Sequence, residues 1–196
     1  IKTLNLLQKS FNENNSKRQF LDARKLITRE EIDAAGVPVI YVELETGKNG
    51  TLTLYPGKGN GHTWLGADGA TITFAQGVLK ASRGLGDDLM GGTSSMPSWP
   101  TIKNPKKYVR KMSYLDGGNK ITVRTFECNI NKDDDPKIII IWKVKFIVTL
   151  FEETCSDTYG SFENRFYLDQ KNIVRKSVQY HSESLGYIIT ERLERN

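Results

Sequence analysis

The segment from Ile138 to Leu150 constrains this chain more than any other. Ile138, Ile140, Trp142, Val144, Phe146, Val148 and Leu150 fill every even position, while Lys143, Lys145 and Thr149 stand among the odd ones. A repeat of two sends alternate side chains to opposite faces of an extended backbone. The segment therefore reads as one strand, or two nearly collinear ones, with the even-numbered side chains inward. At ~3.3 Å per residue such a strand is long, and long half-polar strands suit a curved or closed sheet.

The rest of the chain repeats the pattern. "VIYVELE" and "TLTLY" flank the turn signal "KNG", and "TITFAQGVLKAS" alternates around a turn near Gly77. "FENRFYLDQKNIVRKSVQY" alternates on both sides of "DQKN", and "GYIITERL" is a last strand. In "ITVRTFEC" the apolar phase shifts from Ile121 and Val123 to Phe126 and Cys128, which predicts a bulge. Helical signals are confined to the front. Ile1, Leu4, Leu7 and Phe11 have helical spacing, and Thr28 with Glu31 makes a capping box closed by Gly36 and Pro38. The pattern predicts an all-β fold: an antiparallel β-barrel of roughly ten strands with short N-terminal helices. Residues 1–27 are expected to form a helical segment and linker, and residues 28–196 a single barrel domain.

Composition sets the class. With 196 residues, 38% hydrophobic and 26% charged, the chain can bury the core of one globular domain. The longest unbroken apolar run, Ile138 to Trp142, is far short of the ~20 residues a membrane helix needs. A net charge of +5 is mild, and no nucleic-acid partner is expected. The excess gathers in "KNPKKYVRK", where Lys103, Lys106, Lys107, Arg110 and Lys111 make either a lysine-guarded strand edge or an anion-facing patch.

Signatures of catalysis are sparse. "ASRGLGDDLMGG" has acids where a phosphate loop needs its lysine, and adjacent Asp87 and Asp88 point apart, unlike calcium ligands. It reads instead as a strand exit that turns at Gly84 or Gly86 into a single helical turn. Arg83 is expected to be held by Asp87 or Asp88; this knot either shapes the sheet and binds nothing, or makes the exposed residues around Trp64, Arg83 and Trp99 a binding edge. His62 and His181 lack metal-ligand spacing and no Gly-x-Ser-x-Gly elbow occurs, although a serine–histidine–acid set from distant positions stays open. No catalytic residue, metal ligand or cofactor is expected. Cys128 and Cys155 fit neither a zinc nor a Cys-x-x-Cys spacing; two reduced core thiols and one disulfide both remain possible.

Five features occur in an order that resembles one family. They are "TREEIDAAGVPVIYVEL", "TWLGADGATITFAQGVLKASRGLGDDLM", the spaced Cys128 and Cys155, "FENRFYLDQKNIVRKSVQY" and "LGYIITERL". Together they are similar to the YjbF/GfcB lipoproteins of Gram-negative bacteria, associated with exopolysaccharide and group 4 capsule production. The resemblance implies a β-barrel and a periplasmic, outer-membrane-anchored lipoprotein. It further implies a non-enzymatic accessory role in export or assembly, with polysaccharide or polysaccharide-export proteins as partners. Membrane attachment is expected only through a lipid anchor that this chain does not carry. The oxidising compartment implies a Cys128–Cys155 disulfide. Trp64, Arg83, Asp87, Asp88, Trp99, Lys106, Lys107 and Arg110 are the expected binding residues. A lipocalin-like carrier of a small apolar ligand is the alternative, distinguished by a continuous apolar cavity rather than a core filled by Phe74, Trp142, Phe146 and Phe166.

Overall fold

The computed structural model describes residues 22–57, 61–102, 105–115 and 120–195. The expected helix at Ile1–Phe11, and Lys103, lie outside the described residues. Two short helices open the described chain, α1 (Ala23–Leu26) and α2 (Arg29–Asp33). Thr28 caps α2 reciprocally with Glu31, and Gly36 follows at φ 69°.

Thirteen strands come next: β1 (Val39–Leu44), β2 (Asn49–Tyr55), β3 (His62–Leu65), β4 (Thr71–Ala75), β5 (Val78–Arg83), β6 (Leu89–Ser94) and β7 (Lys106–Leu115). Then come β8 (Ile121–Lys132), β9 (Lys137–Ile141), β10 (Val144–Asp157), β11 (Gly160–Asp169), β12 (Val174–Ser182) and β13 (Gly186–Arg192). All thirteen belong to one antiparallel sheet: twelve follow the order β5-β4-β3-β2-β1-β13-β12-β11-β10-β8-β7-β6, and β9 pairs with β10 off that path. The sheet curls into a nearly closed barrel.

Closure at the β5–β6 seam is made by side chains. Arg83 donates to the carbonyls of Leu89 (3.0 Å) and Met90 (3.2 Å), and the Leu89 N–H donates to Ser82 Oγ (3.0 Å). Farther along β5, Gln179 accepts from the Leu79 N–H (2.8 Å), and Arg110 donates to the Leu79 carbonyl (3.3 Å). An unpaired strand edge needs such partners when buried.

The segment 138–150 is not one strand. β9 and β10 form a hairpin around Trp142 and Lys143, both at positive φ (45° and 71°), and Ile141 faces Val144. A two-residue turn leaves the alternation intact in the sequence while reversing parity, since cross-strand partners share a face. The even residues Phe146 and Val148 are therefore buried on β10, whereas Ile138 (69%) and Ile140 (64%) are exposed on β9. The bulge expected in β8 is absent. β7 and β8 pair without a register shift, and Ile121 and Val123 stand on the outer face.

Two apolar cores result. The barrel interior holds Ile40, Val42, Trp64, Ile72, Phe74, Met112, Phe126, Phe151, Phe162, Phe166 and their neighbours. A second core outside β1 joins α1 and α2 to the hairpin through Ala23, Ile27, Ile32, Val39, Tyr41, Ile141, Phe146 and Val148. The turn back along the sheet also brings β10 beside β8, where Cys155 lies directly opposite Cys128. Their sulfurs are bonded, with Cα atoms 4.0 Å apart.

Candidate functional site

The middle of the barrel is polar as well as aromatic. Arg110, on the inward phase of β7 with Tyr108 and Met112, is 1% exposed and donates to Glu153 Oε2 (2.9 Å). Glu153 is also 1% exposed, and it accepts from the Tyr108 hydroxyl and the Asn164 amide. Burial, followed by the Glu153 charge, pushes the Tyr108 phenol well above its ordinary range, so it acts as a donor. Every ion in this cluster has a partner, which marks it as an internal brace.

At one end the barrel opens into a cleft of about 200 Å³. The inward faces of β1, β3, β4 and β13 bring Ile40, Trp64, Phe74 and Thr190 to its floor and His62 and Arg192 to its rim. Two turns complete it: Gln76–Gly77 between β4 and β5, and Asn172–Ile173 between β11 and β12. Gln76, Gly77 and Asn172 have φ of 52°, 81° and 60°, the left-handed geometry of tight reversals. Gly77 is required there because a Cβ would run into Val174. The β4–β5 turn is clamped from inside. Trp99 Nε1–H donates to the Gln76 carbonyl, and Gln179 donates to the Gly77 carbonyl (2.7 and 2.8 Å).

The cleft thus offers an aromatic floor, two side-chain amides, an imidazole and a guanidinium. The side-chain amides of Gln76 and Asn172 make no hydrogen bond among the described residues, while the Asn172 backbone N–H donates to the Asp169 carbonyl (2.9 Å). That combination matches a ligand with an apolar face and hydrogen-bonding edges.

The expected site residues do not form a single edge. Trp64 (3% exposed) is in the cleft floor, and Trp99 (4%) is buried behind the cleft, packed on Phe151 and Phe166. Neither is exposed, because both belong to the barrel core. Arg83 is held by backbone carbonyls rather than by a carboxylate. No helical turn follows it; residues 84–88 are a bend between strands, with Gly84 at φ 78° and Gly86 at φ 115°. Asp88 is occupied by the N–H groups of Gly84 (2.9 Å) and Leu85 (3.1 Å), and Asp87 accepts from Ser184 (2.8 Å). Lys106 and Lys107 are exposed, but Arg110 turns inward and leaves the basic face. What the sequence reading missed is Arg192. It falls in phase with Ile188 and Thr190, so an arginine on the inward face of "GYIITERL" was the available signal.

A serine–histidine–acid contact does exist at the seam. Ser82 Oγ lies 2.8 Å from His181 Nε2 and 3.4 Å from Asp88 Oδ1. Its order is not that of a nucleophile system, in which the acid holds the second imidazole nitrogen. Here the acid meets the serine, His181 Nδ1 has no partner among the described residues, and both Ser82 (1%) and His181 (0%) are buried. Burial pulls the His181 pKa below its ordinary value, against the opposing charges of Asp87 and Asp88.

The model of the group 4 capsule polysaccharide lipoprotein family GfcB/YjbF matches residues 6–193. The chain belongs to this family. The crystal structure of the hypothetical lipoprotein YmcC from Escherichia coli K12 has the same fold. Its TM-score is 0.78 at 19% identity, over 87% of this chain and 90% of that one. No curated protein gives a significant match. Membership gives the protein a capsule-related lipoprotein family, described as such and not as an enzyme, and suggests a cell-envelope setting.

Proposed function

We propose that the protein is a non-enzymatic accessory factor in exopolysaccharide or capsule export or assembly, acting at the periplasmic side of the outer membrane, and that it holds a sugar unit of the polymer in the barrel-mouth cleft. The observation that carries this is the cleft itself: an aromatic floor at Trp64 and Phe74 beneath the side-chain amides of Gln76 and Asn172. Sugars present a C–H face that packs on aromatic rings and hydroxyl edges that pair with amides. About 200 Å³ is below the ~300–1,000 Å³ of drug-sized sites and suits a single ring. Polysaccharide is then the direct partner, and export proteins are the machinery it serves. The filled barrel middle, with Phe126, Phe166 and the Arg110–Glu153 pair, argues against an apolar carrier. The buried Ser82–His181 pair supports the non-enzymatic reading, because no substrate reaches it.

The test is affinity electrophoresis through gels containing acidic and neutral bacterial exopolysaccharides. Retardation of the native protein is expected, with loss in the His62→Ala/Asn172→Gly variant, whose changes are confined to the rim. Equal retardation of both proteins would remove the cleft as the binding site.

A further inference from the structure

We propose that the cleft selects a sugar ring bearing a carboxylate, and that Arg192 reads that carboxylate. This rests on the cleft being the sugar site. Arg192 lies opposite Ile40 on the inward face of β13, with its guanidinium carbon 5.8 Å from the Trp64 ring centroid. Glu194 engages only its Nε, at 3.2 and 3.3 Å. Among the described residues the two terminal nitrogens of Arg192 have no partner, which leaves the end-on edge of the fork open.

The contrast with the other packed arginines is informative. Arg110 spends its terminal nitrogens on Glu153 and the Leu79 carbonyl. Arg175 spends Nε and Nη1 on Asp169 and the Glu194 carbonyl, and Arg29 spends its own on Asp33 and the Leu193 carbonyl. Among the described residues Arg192 alone of these four has both terminal nitrogens without a partner, and it does so at the rim of a cleft.

An open guanidinium edge matches a carboxylate with two parallel hydrogen bonds, a geometry that a hydroxyl does not fill. Glu194 shares the charge of Arg192, so discrimination comes from paired donors more than from net attraction. Trp64 lies where the ring attached to that carboxylate would rest. A sugar acid therefore uses the floor and the fork together, whereas a neutral sugar uses the floor and the amides alone.

The experiment is isothermal titration of the full chain with oligosaccharides containing glucuronic, galacturonic or N-acetylneuraminic acid, and with their carboxyl-reduced counterparts. At least one acidic form is expected to bind about tenfold or more tighter than its reduced form. Arg192→Gln should bring the pair to equal affinity without changing the thermal midpoint; Arg192→Lys, which keeps the stem and charge, replaces it if the glutamine variant unfolds. Equal binding of acidic and reduced forms by the native protein would overturn the carboxylate assignment while leaving the sugar site standing. Absence of binding across the panel would overturn both. An acid preference that survives loss of the fork would overturn the role of Arg192.

Discussion

Replacing Arg110 by methionine should be among the most damaging single changes outside the disulfide. Methionine fits the stem and deletes the guanidinium. Glu153, 1% exposed, then keeps its carboxylate inside the barrel with only Tyr108 and Asn164 as neutral donors. The Leu79 carbonyl on the seam edge loses a donor as well. Removing one member of a buried ion pair costs about 3–5 kcal/mol, most of it the uncompensated charge. For a chain of this length that corresponds to a fall of about 6–20 °C in thermal midpoint. It is also a large share of the ~5–15 kcal/mol typical of a folded domain. Urea unfolding followed by tryptophan fluorescence measures it, with the denaturant slope checked for constancy. The decisive comparison is Arg110→Met/Glu153→Gln, which removes the orphan charge and leaves an amide for Tyr108 and Asn164 to meet. It should be more stable than Arg110→Met alone. A single variant that loses less than about 1 kcal/mol, the range of an exposed pair, or a double variant that is worse than the single, would refute the reasoning.

Further outcomes are expected elsewhere. Replacing Cys128 and Cys155 by alanine should cost about 3.5 kcal/mol in the chain-entropy model for a separation of 27, read as a lower urea midpoint; an unchanged midpoint would contradict it. His181 is held below its ordinary pKa of 6.5 by burial, so the unfolded chain binds its proton first. Its stabilising contribution is full above pH 6.5 and is lost as pH falls from there through the folded value. The urea midpoint of the native protein should thus drop more between pH 7.5 and 5.5 than that of His181→Gln; equal drops would contradict this. Lys143→Gly should raise the thermal midpoint, because φ of 71° costs a side-chain-bearing residue roughly 1 kcal/mol; a lowered midpoint would contradict it.

The barrel was legible because inside and outside write a repeat of two along each strand. The β9–β10 hairpin was not. Its two-residue turn keeps the even positions apolar throughout, and only the positive φ at Trp142 and Lys143 betrays the reversal. Ile121 and Val123 misled for another reason: apolar side chains also stand on outer faces, so their phase shift needed no bulge. For Arg83 the sequence suggested a local carboxylate, but the strand edge it latches depends on barrel closure, which is nonlocal. Arg110 could have been read correctly, since Tyr108, Arg110 and Met112 share the inward phase, yet the surrounding lysines drew it to the outer face. The cleft draws on five strands and two turns, and of its residues only Trp64 was expected from the sequence to bind a ligand.

The central claim is that sugar is held at the barrel mouth, and amide chemical-shift mapping of the 15N-labelled chain tests it most directly. Titration with an acidic exopolysaccharide oligosaccharide should move the amides of Gln76, Gly77, Asn172, Ile173 and Arg192, together with the Trp64 indole. Shifts clustered instead around the exposed Lys106, Lys107 and Lys111, or no shifts at saturating oligosaccharide, would contradict the account.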